Sequence, residues 1–240
     1  MNKLRHYRFS VCLLALAMVG AGGSLRAQDG TPPPAAPPVV MSRKQAAKLV
    51  MAQPAPEYPP VAKVNYLQGN VELELTVNGA GQVTRAHVLQ GNAMFAASAL
   101  KAARRWLYHP LATASGPSGF ITTVEMKFTL QYGESELTPQ QAERDFQRQI
   151  KPPQITRTDD DAHPEEVVHM RLLVNDQGEV DDMQTIPTGK AQYEAALEAL
   201  RGWTFRPAHW GTLPIASYVN VDIPVETPPE SRVAANAHCR

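Results

Sequence analysis

The sequence predicts an α+β protein built as two tandem small domains, each a three-stranded antiparallel sheet packed by helices in the order helix, strand, strand, helix, strand. Three observations carry that expectation. First, "RRWLYHP" (104–110) returns as "RGWTFRP" (201–207), an offset of 97 residues that also aligns positions far to either side. Second, each copy holds segments in which apolar and polar residues alternate, the pattern of half-buried strands. Third, each copy holds apolar residues three and four apart, the stripe of a helix with one buried face.

The same offset pairs Val71 with Val168, Leu75 with Leu172, Val77-Asn78 with Val174-Asn175, and Gly81 with Gly178. It continues through Val83/Val180, Ala99/Ala196, Leu100/Leu197, Arg104/Arg201, Pro110/Pro207 and Pro117/Pro214. Ungapped correspondence over this length points to duplication, so the repeat sets the domain boundaries. They fall at 1–27 (signal peptide), 28–41 (Pro-rich linker), 42–133 (first domain), 138–227 (second domain) and 228–240 (tail).

At the N-terminus Lys3, Arg5 and Arg8 precede the apolar run "VCLLALAMVGAG" (11–22), and small residues lead to Ala27. Basic, then apolar, then small is the layout of a secretory signal. The run falls short of the ~20 apolar residues that span a bilayer as a helix. Cleavage and a periplasmic location are therefore expected, with an uncleaved inner-membrane anchor facing the periplasm as the alternative. Of the two cysteines, Cys12 lies in the signal and Cys239 in the tail, so no internal disulfide is expected.

Each domain begins with a capping box, "SRKQ" (42–45) and "TPQQ" (138–141). Pro56 and Pro153 separate that helix from the first strand, "VELELTV" (71–77) or "VHMRLLV" (168–174). The turns "NGAGQV" and "NDQGEV" lead into second strands at Val83–Leu89 and Val180–Ile186, and so short a connection predicts antiparallel hairpins. The next helix carries Ala96, Ala99, Leu100, Ala103 and Trp106 on one face, matched by Tyr193, Ala196, Leu197, Leu200 and Trp203. Asn92 and Thr188 are read as its N-caps and Pro110 and Pro207 as its stops, which makes Trp106 and Trp203 core residues closing helix onto sheet. A last strand alternates through Val124, Met126 and Phe128, and through Val221, Ile223 and Val225.

Charge and composition narrow the function. Lys plus Arg and Asp plus Glu balance at 23 each, so no net field draws the chain to nucleic acid or anionic lipid. The seven histidines are not clustered at metal-ligand spacing; His163 and His169 near Asp159–Asp161 read as a solvated loop beside a strand. His238-Cys239 lies in a polar tail where nothing would fix a nucleophile pair. Glu72 and Glu74 read as the solvent face of a sheet, and Arg104 and Arg105 as charges suited to a helix C-terminus. No catalytic residue, cofactor or metal is expected.

The first unit, "PEYPPVAKVNYLQGNVELELTVNGAGQVTRAHVLQG…ALKAARRWLYHP", resembles the C-terminal domain of TonB-type energy transducers. The likeness rests on Tyr58-Pro59 before a short helical stretch, Gly69 opening a strand, Gly81 in the turn, and Trp106-x-Tyr108-x-Pro110. The second unit resembles a diverged copy that keeps Gly178 and Trp203-x-Phe205-x-Pro207 but lacks the Tyr-Pro pair. The resemblance implies a protein that grips a peptide of an outer-membrane receptor by adding it as a strand to an open sheet edge. That edge would be the last strand, Thr122–Leu130 in the first unit, with Thr122, Val124, Met126, Phe128, Leu130, Tyr58 and Pro59 as the partner-binding set. In the second, Tyr218–Val225, Pro224 removes a donor and makes the poorer template.

The chain departs from a full transducer in its spacer, about ten residues that reach only ~30 Å in polyproline II. The expected role is accordingly an energy-transducer-like periplasmic binding protein supporting transport, with two alternatives: a soluble adaptor or scaffold for envelope proteins, or a cryptic envelope enzyme. The expected partner is a protein, with membrane contact only if the N-terminal segment stays uncleaved and a homodimer as a further option. Pairing or packing of the two sheets is expected to protect their edges.

Overall fold

A computed structural model describes residues 38–114, 116–130, 138–156, 166–185 and 189–225, all within one compact unit. The expected signal (1–27), tail (228–240) and the positions of Asp159–Asp161, His163, Ile186, Thr188, His238 and Cys239 lie outside the described residues.

The first half enters through β1 (Val39–Val40), α1 (Arg43–Ala47), β2 (Val50–Ala52) and α2 (Pro60–Val64). The hairpin β3 (Gly69–Val77) and β4 (Val83–Gln90) leads to α3 (Ala93–Ala103), β5 (Leu107–Tyr108), β6 (Leu111–Thr113), β7 (Gly116–Ser118) and β8 (Phe120–Phe128). The second half runs α4 (Pro139–Gln147), β9 (Ile150–Lys151), β10 (Gln154–Thr156), β11 (Glu166–Val174), β12 (Val180–Thr185) and α5 (Lys190–Leu200). It closes with β13 (Thr204–Arg206), β14 (Ala208–Trp210), β15 (Leu213–Ile215) and β16 (Ser217–Val225). The main sheets have strand orders β1-β8-β3-β4 and β12-β11-β16. The long strands pair antiparallel, while β1 joins β8 in parallel.

Local chemistry explains most boundaries. Ser42 and Thr138 each close a full capping box, with Gln45 and Gln141 returning the bond to the cap backbone. Asn92 caps α3 by accepting from the Met94 N–H at 3.0 Å. At α5 the N-cap is Gly189, without a side-chain bond, rather than the expected Thr188. The helices also stop earlier than the prolines imply. α3 ends at Ala103 and α5 at Leu200, and in each half the chain then forms a short strand, β5 or β13, before Pro110 or Pro207 is reached. The tryptophans therefore lie just past the helix, buried as expected, and Trp106 Nε1 donates to the Pro54 carbonyl at 3.0 Å. The last strands begin earlier than expected as well, at Phe120 and Ser217, and the first ends at Phe128.

Both halves use one device to lock turn to strand. Asn78 Oδ1 accepts from the N–H groups of Ala80 and Gln82, and Asn175 Oδ1 from those of Gln177 and Glu179. The turn glycines, Gly81 and Gly178, sit at φ +80° and +85°. A Cβ on either would meet the carbonyl oxygen of Tyr108 or Phe205, the aromatic of the Trp-x-aromatic-x-Pro signature. The repeated signature therefore marks where a strand passes under the hairpin turn, so close that only glycine fits.

The halves share buried surface. Val168, Met170, Leu172 and Val174 face the second core, but Leu173 is also buried, on the opposite face of β11. There it joins a cluster with Ala142, Phe146, Ala208 and Ile215 and the apolar residues of the first half. Side chains join the edges of β4 and β12. Asp182 accepts from the Val88 N–H at 2.8 Å and contacts His87 Nδ1 at 2.9 Å, while Gln184 Nε2 donates to the Val88 carbonyl at 2.7 Å. Arg104 donates to the Asp181 carbonyl at 3.1 Å. Burial raises the Asp181 carboxyl above the usual range, and Arg104 offsets part of that rise.

Asp182→Ala is expected to cost about 1–3 kcal/mol, because it strands the buried Val88 N–H. Asp222→Ala, which breaks the exposed pair with His169, should change stability by no more than about 0.5 kcal/mol. Urea unfolding of the two variants checks the contrast.

Candidate functional site

β3 is the central strand of the first sheet, and its residues Gly69–Val77 pair with Phe128–Phe120 of β8 along their whole length. On its other side the one described strand that pairs with β8 is β1, at Phe120 and Ile121. The carbonyls of Gly119 and Ile121 accept from Val39 and Met41 at 3.0 and 2.8 Å and so point outward. Backbone direction alternates along a strand, so Thr123, Glu125 and Lys127 turn their N–H and C=O groups to that same outer side. No strand pairs with them there among the described residues. This stretch has the form of a strand-accepting edge.

Four of the predicted partner-binding residues lie on β8 itself. Thr122, Val124, Met126 and Phe128 are buried on the core face, so on this strand they support the sheet and leave any docking to the backbone. Thr122 Oγ1 has no hydrogen-bond partner among the described residues. Leu130 lies beyond the strand, its N–H donated to Gln68 Oε1 at 3.1 Å. Tyr58 packs edge-on against Phe95 and Phe128, with ring centroids 5.5 and 5.8 Å away, and its hydroxyl donates to the Leu67 carbonyl. Burial raises its phenol above the ordinary range. Pro59 is the N-cap of α2, with Pro60 in the first turn, where the missing N–H costs nothing. Tyr58 therefore braces the end of β8 from the core side through Phe128.

The outward side chains are Ile121, Thr123, Glu125 and Lys127, none of them fully buried. Arg43 reaches across this face to Glu125 and Glu72 at 3.1 and 2.8 Å, so Glu72 has a partner on the solvent side. In the second sheet β16 pairs, among the described residues, with β11 alone, and Pro224 lies opposite Val167 within the ladder. A proline inside a ladder must turn its donorless nitrogen to the free edge. Pro110 is exposed between β5 and β6, and Pro207 follows β13; neither belongs to an edge.

Among the described residues no group of histidine, cysteine or carboxylate side chains could hold a metal ion. His169 instead contacts Asp222 at 2.7 Å on the surface. No described helix is long and apolar enough to cross a membrane. At this edge the feature that sequence reasoning missed is β1, which lies inside the stretch assigned to the linker. Its signal was two adjacent β-branched residues, Val39-Val40, separated from the Ser42 cap by Met41 alone. No curated protein matches the chain. Residues 54–130, the stretch that holds α2, the β3–β4 hairpin, α3 and β8, match the family model described as Gram-negative bacterial TonB protein C-terminal.

Proposed function

We propose that this chain is a periplasmic, energy-transducer-like binding protein of the TonB type. Its β8 edge captures an extended peptide of an outer-membrane receptor by strand addition, in support of transport. The observation that carries this reading is the outward row of backbone groups at Thr123, Glu125 and Lys127, unpaired with any described strand and inside the family-matched stretch. The family is one of protein-interaction domains, which favours binding over catalysis. Residues 138–227 are read as a second, diverged copy, supported by the turn hydrogen bonds and glycine contacts that recur 97 residues apart. Pro224 leaves that copy the weaker template.

A photo-crosslinking residue at Thr123 or Lys127, introduced in the intact envelope, tests the reading. The expected product is an adduct with an integral outer-membrane receptor, several-fold more abundant than from Asn220 on β16. Adducts with soluble periplasmic proteins alone would replace it with the second reading, an adaptor without energy coupling. That alternative draws support from the buried core that the two halves share.

A further inference from the structure

The edge assigned above to a partner is already partly occupied by the chain itself. Resting on that strand-docking reading, we propose that residues 38–47 form a displaceable strap over β8, competing with an incoming strand for the outward groups of Gly119 and Ile121. β1 takes both carbonyls through the Val39 and Met41 N–H groups. The chain then turns at Ser42 into α1, and Arg43 reaches Glu125, four residues further along β8 than Ile121. Strap and partner would therefore overlap over roughly the first half of the edge.

What holds the strap is slight. Val39 and Val40 are 43% and 81% exposed, and of the residues before Ser42 only the half-buried Met41 packs against the core, so this end of the strap buries little apolar surface. α1 has five residues, too few to be stable alone, and only Ala46 among them is buried. The Arg43 pairs are partly exposed, a setting in which ion pairs contribute little. Directly after α1 the attachment becomes firm: the Leu49 carbonyl accepts from His109, and β2 pairs with β5. The strap is thus a weakly held segment on a fixed tether. Tethering keeps its local concentration high, so it covers an edge that would otherwise invite aggregation and yields only to a better strand.

Val39→Pro combined with Met41→Pro, in the full chain, removes both donated N–H groups together with the packing of the half-buried Met41 against the margin of the core, and replaces no fully buried residue. The probe is a fluorescein-labelled peptide of residues 38–45, followed by anisotropy. It is expected to bind the double variant at least tenfold more tightly than the unsubstituted chain, whose own strap competes. Equal affinity, or binding to neither, overturns the proposal. Hydrogen exchange on the unsubstituted chain provides a check independent of the variant's folding. The Met41 amide should exchange at least a hundredfold faster than those of Leu73 and Leu75 in β3, and matching protection would overturn the strap. Tighter peptide binding by the variant without a receptor adduct at Thr123 upholds the strap and overturns the receptor reading alone.

Discussion

Gly81→Ala is expected to cost more than about 3 kcal/mol, while Gly116→Ala costs only about 1–2 kcal/mol. Both glycines have positive φ, +80° and +107°, so both substitutions meet backbone strain of about 1–2 kcal/mol. They differ in what a Cβ would touch. At Gly116 nothing lies within 4 Å, whereas at Gly81 the Tyr108 carbonyl oxygen lies at 1.8 Å. That oxygen is backbone, so no rotamer change relieves the overlap, and β5 or the turn has to move. Moving β5 breaks the Tyr108 N–H bond to the Gly81 carbonyl and disturbs Tyr108, which is buried edge-on against Phe120 at 5.4 Å. Gly178→Ala should behave like Gly81→Ala, since its Cβ would come within 2.3 Å of the Phe205 carbonyl. Urea unfolding of the three variants decides the matter. Equal losses at Gly81 and Gly116 would mean that backbone conformation alone, not the passing strand, fixes the glycine.

These contacts show which parts of the fold the sequence could disclose. Periodicity and capping are local, and they located β3, β4, α3, β11 and both capping boxes because each depends on residues a few positions apart. The Trp signature was recognisable as a repeat, but its use was not. Its aromatic residue meets a turn 27 positions earlier, at Gly81 or Gly178, and no local pattern encodes that approach. The helix ends were misplaced for a related reason. Proline marks where a helix cannot continue, whereas α3 stops at Ala103 because β5 is needed to pair with β2. Alternation in β8 separated its two faces correctly, but the side chains it made prominent are the buried ones, and strand docking would use backbone groups that every residue carries. The candidate site was therefore legible as a strand and not as a surface. β1 escaped because a two-residue strand has no period to detect.

Leu173→Ala is expected to cost about 2–5 kcal/mol and to loosen both halves together. The residue interrupts the alternation of "VHMRLLV": Leu172 and Leu173 are adjacent, and both are buried. Adjacent strand residues point to opposite faces, so β11 must be covered on both sides. Leu172 fills the second core, whereas Leu173 enters the cluster of the first half together with Ala142 and Phe146 of α4. Leu172→Ala should therefore speed amide exchange mainly in β11 and β16, while Leu173→Ala should speed it in β3 and β11 alike. If Leu173→Ala leaves β3 protected, the halves fold independently and the shared core carries no coupling. If exchange rises in both, the halves are one cooperative body, held by the Leu173 cluster in the core and by Asp182 and Gln184 at the facing edges. That body turns β4 and β12 toward each other and leaves β8 and β16 as its outer strands, so joining the two sheets blocks two edges and leaves two. The strap over β8 and Pro224 on β16 then guard the remaining pair by different means: one can be displaced, and the other is permanent.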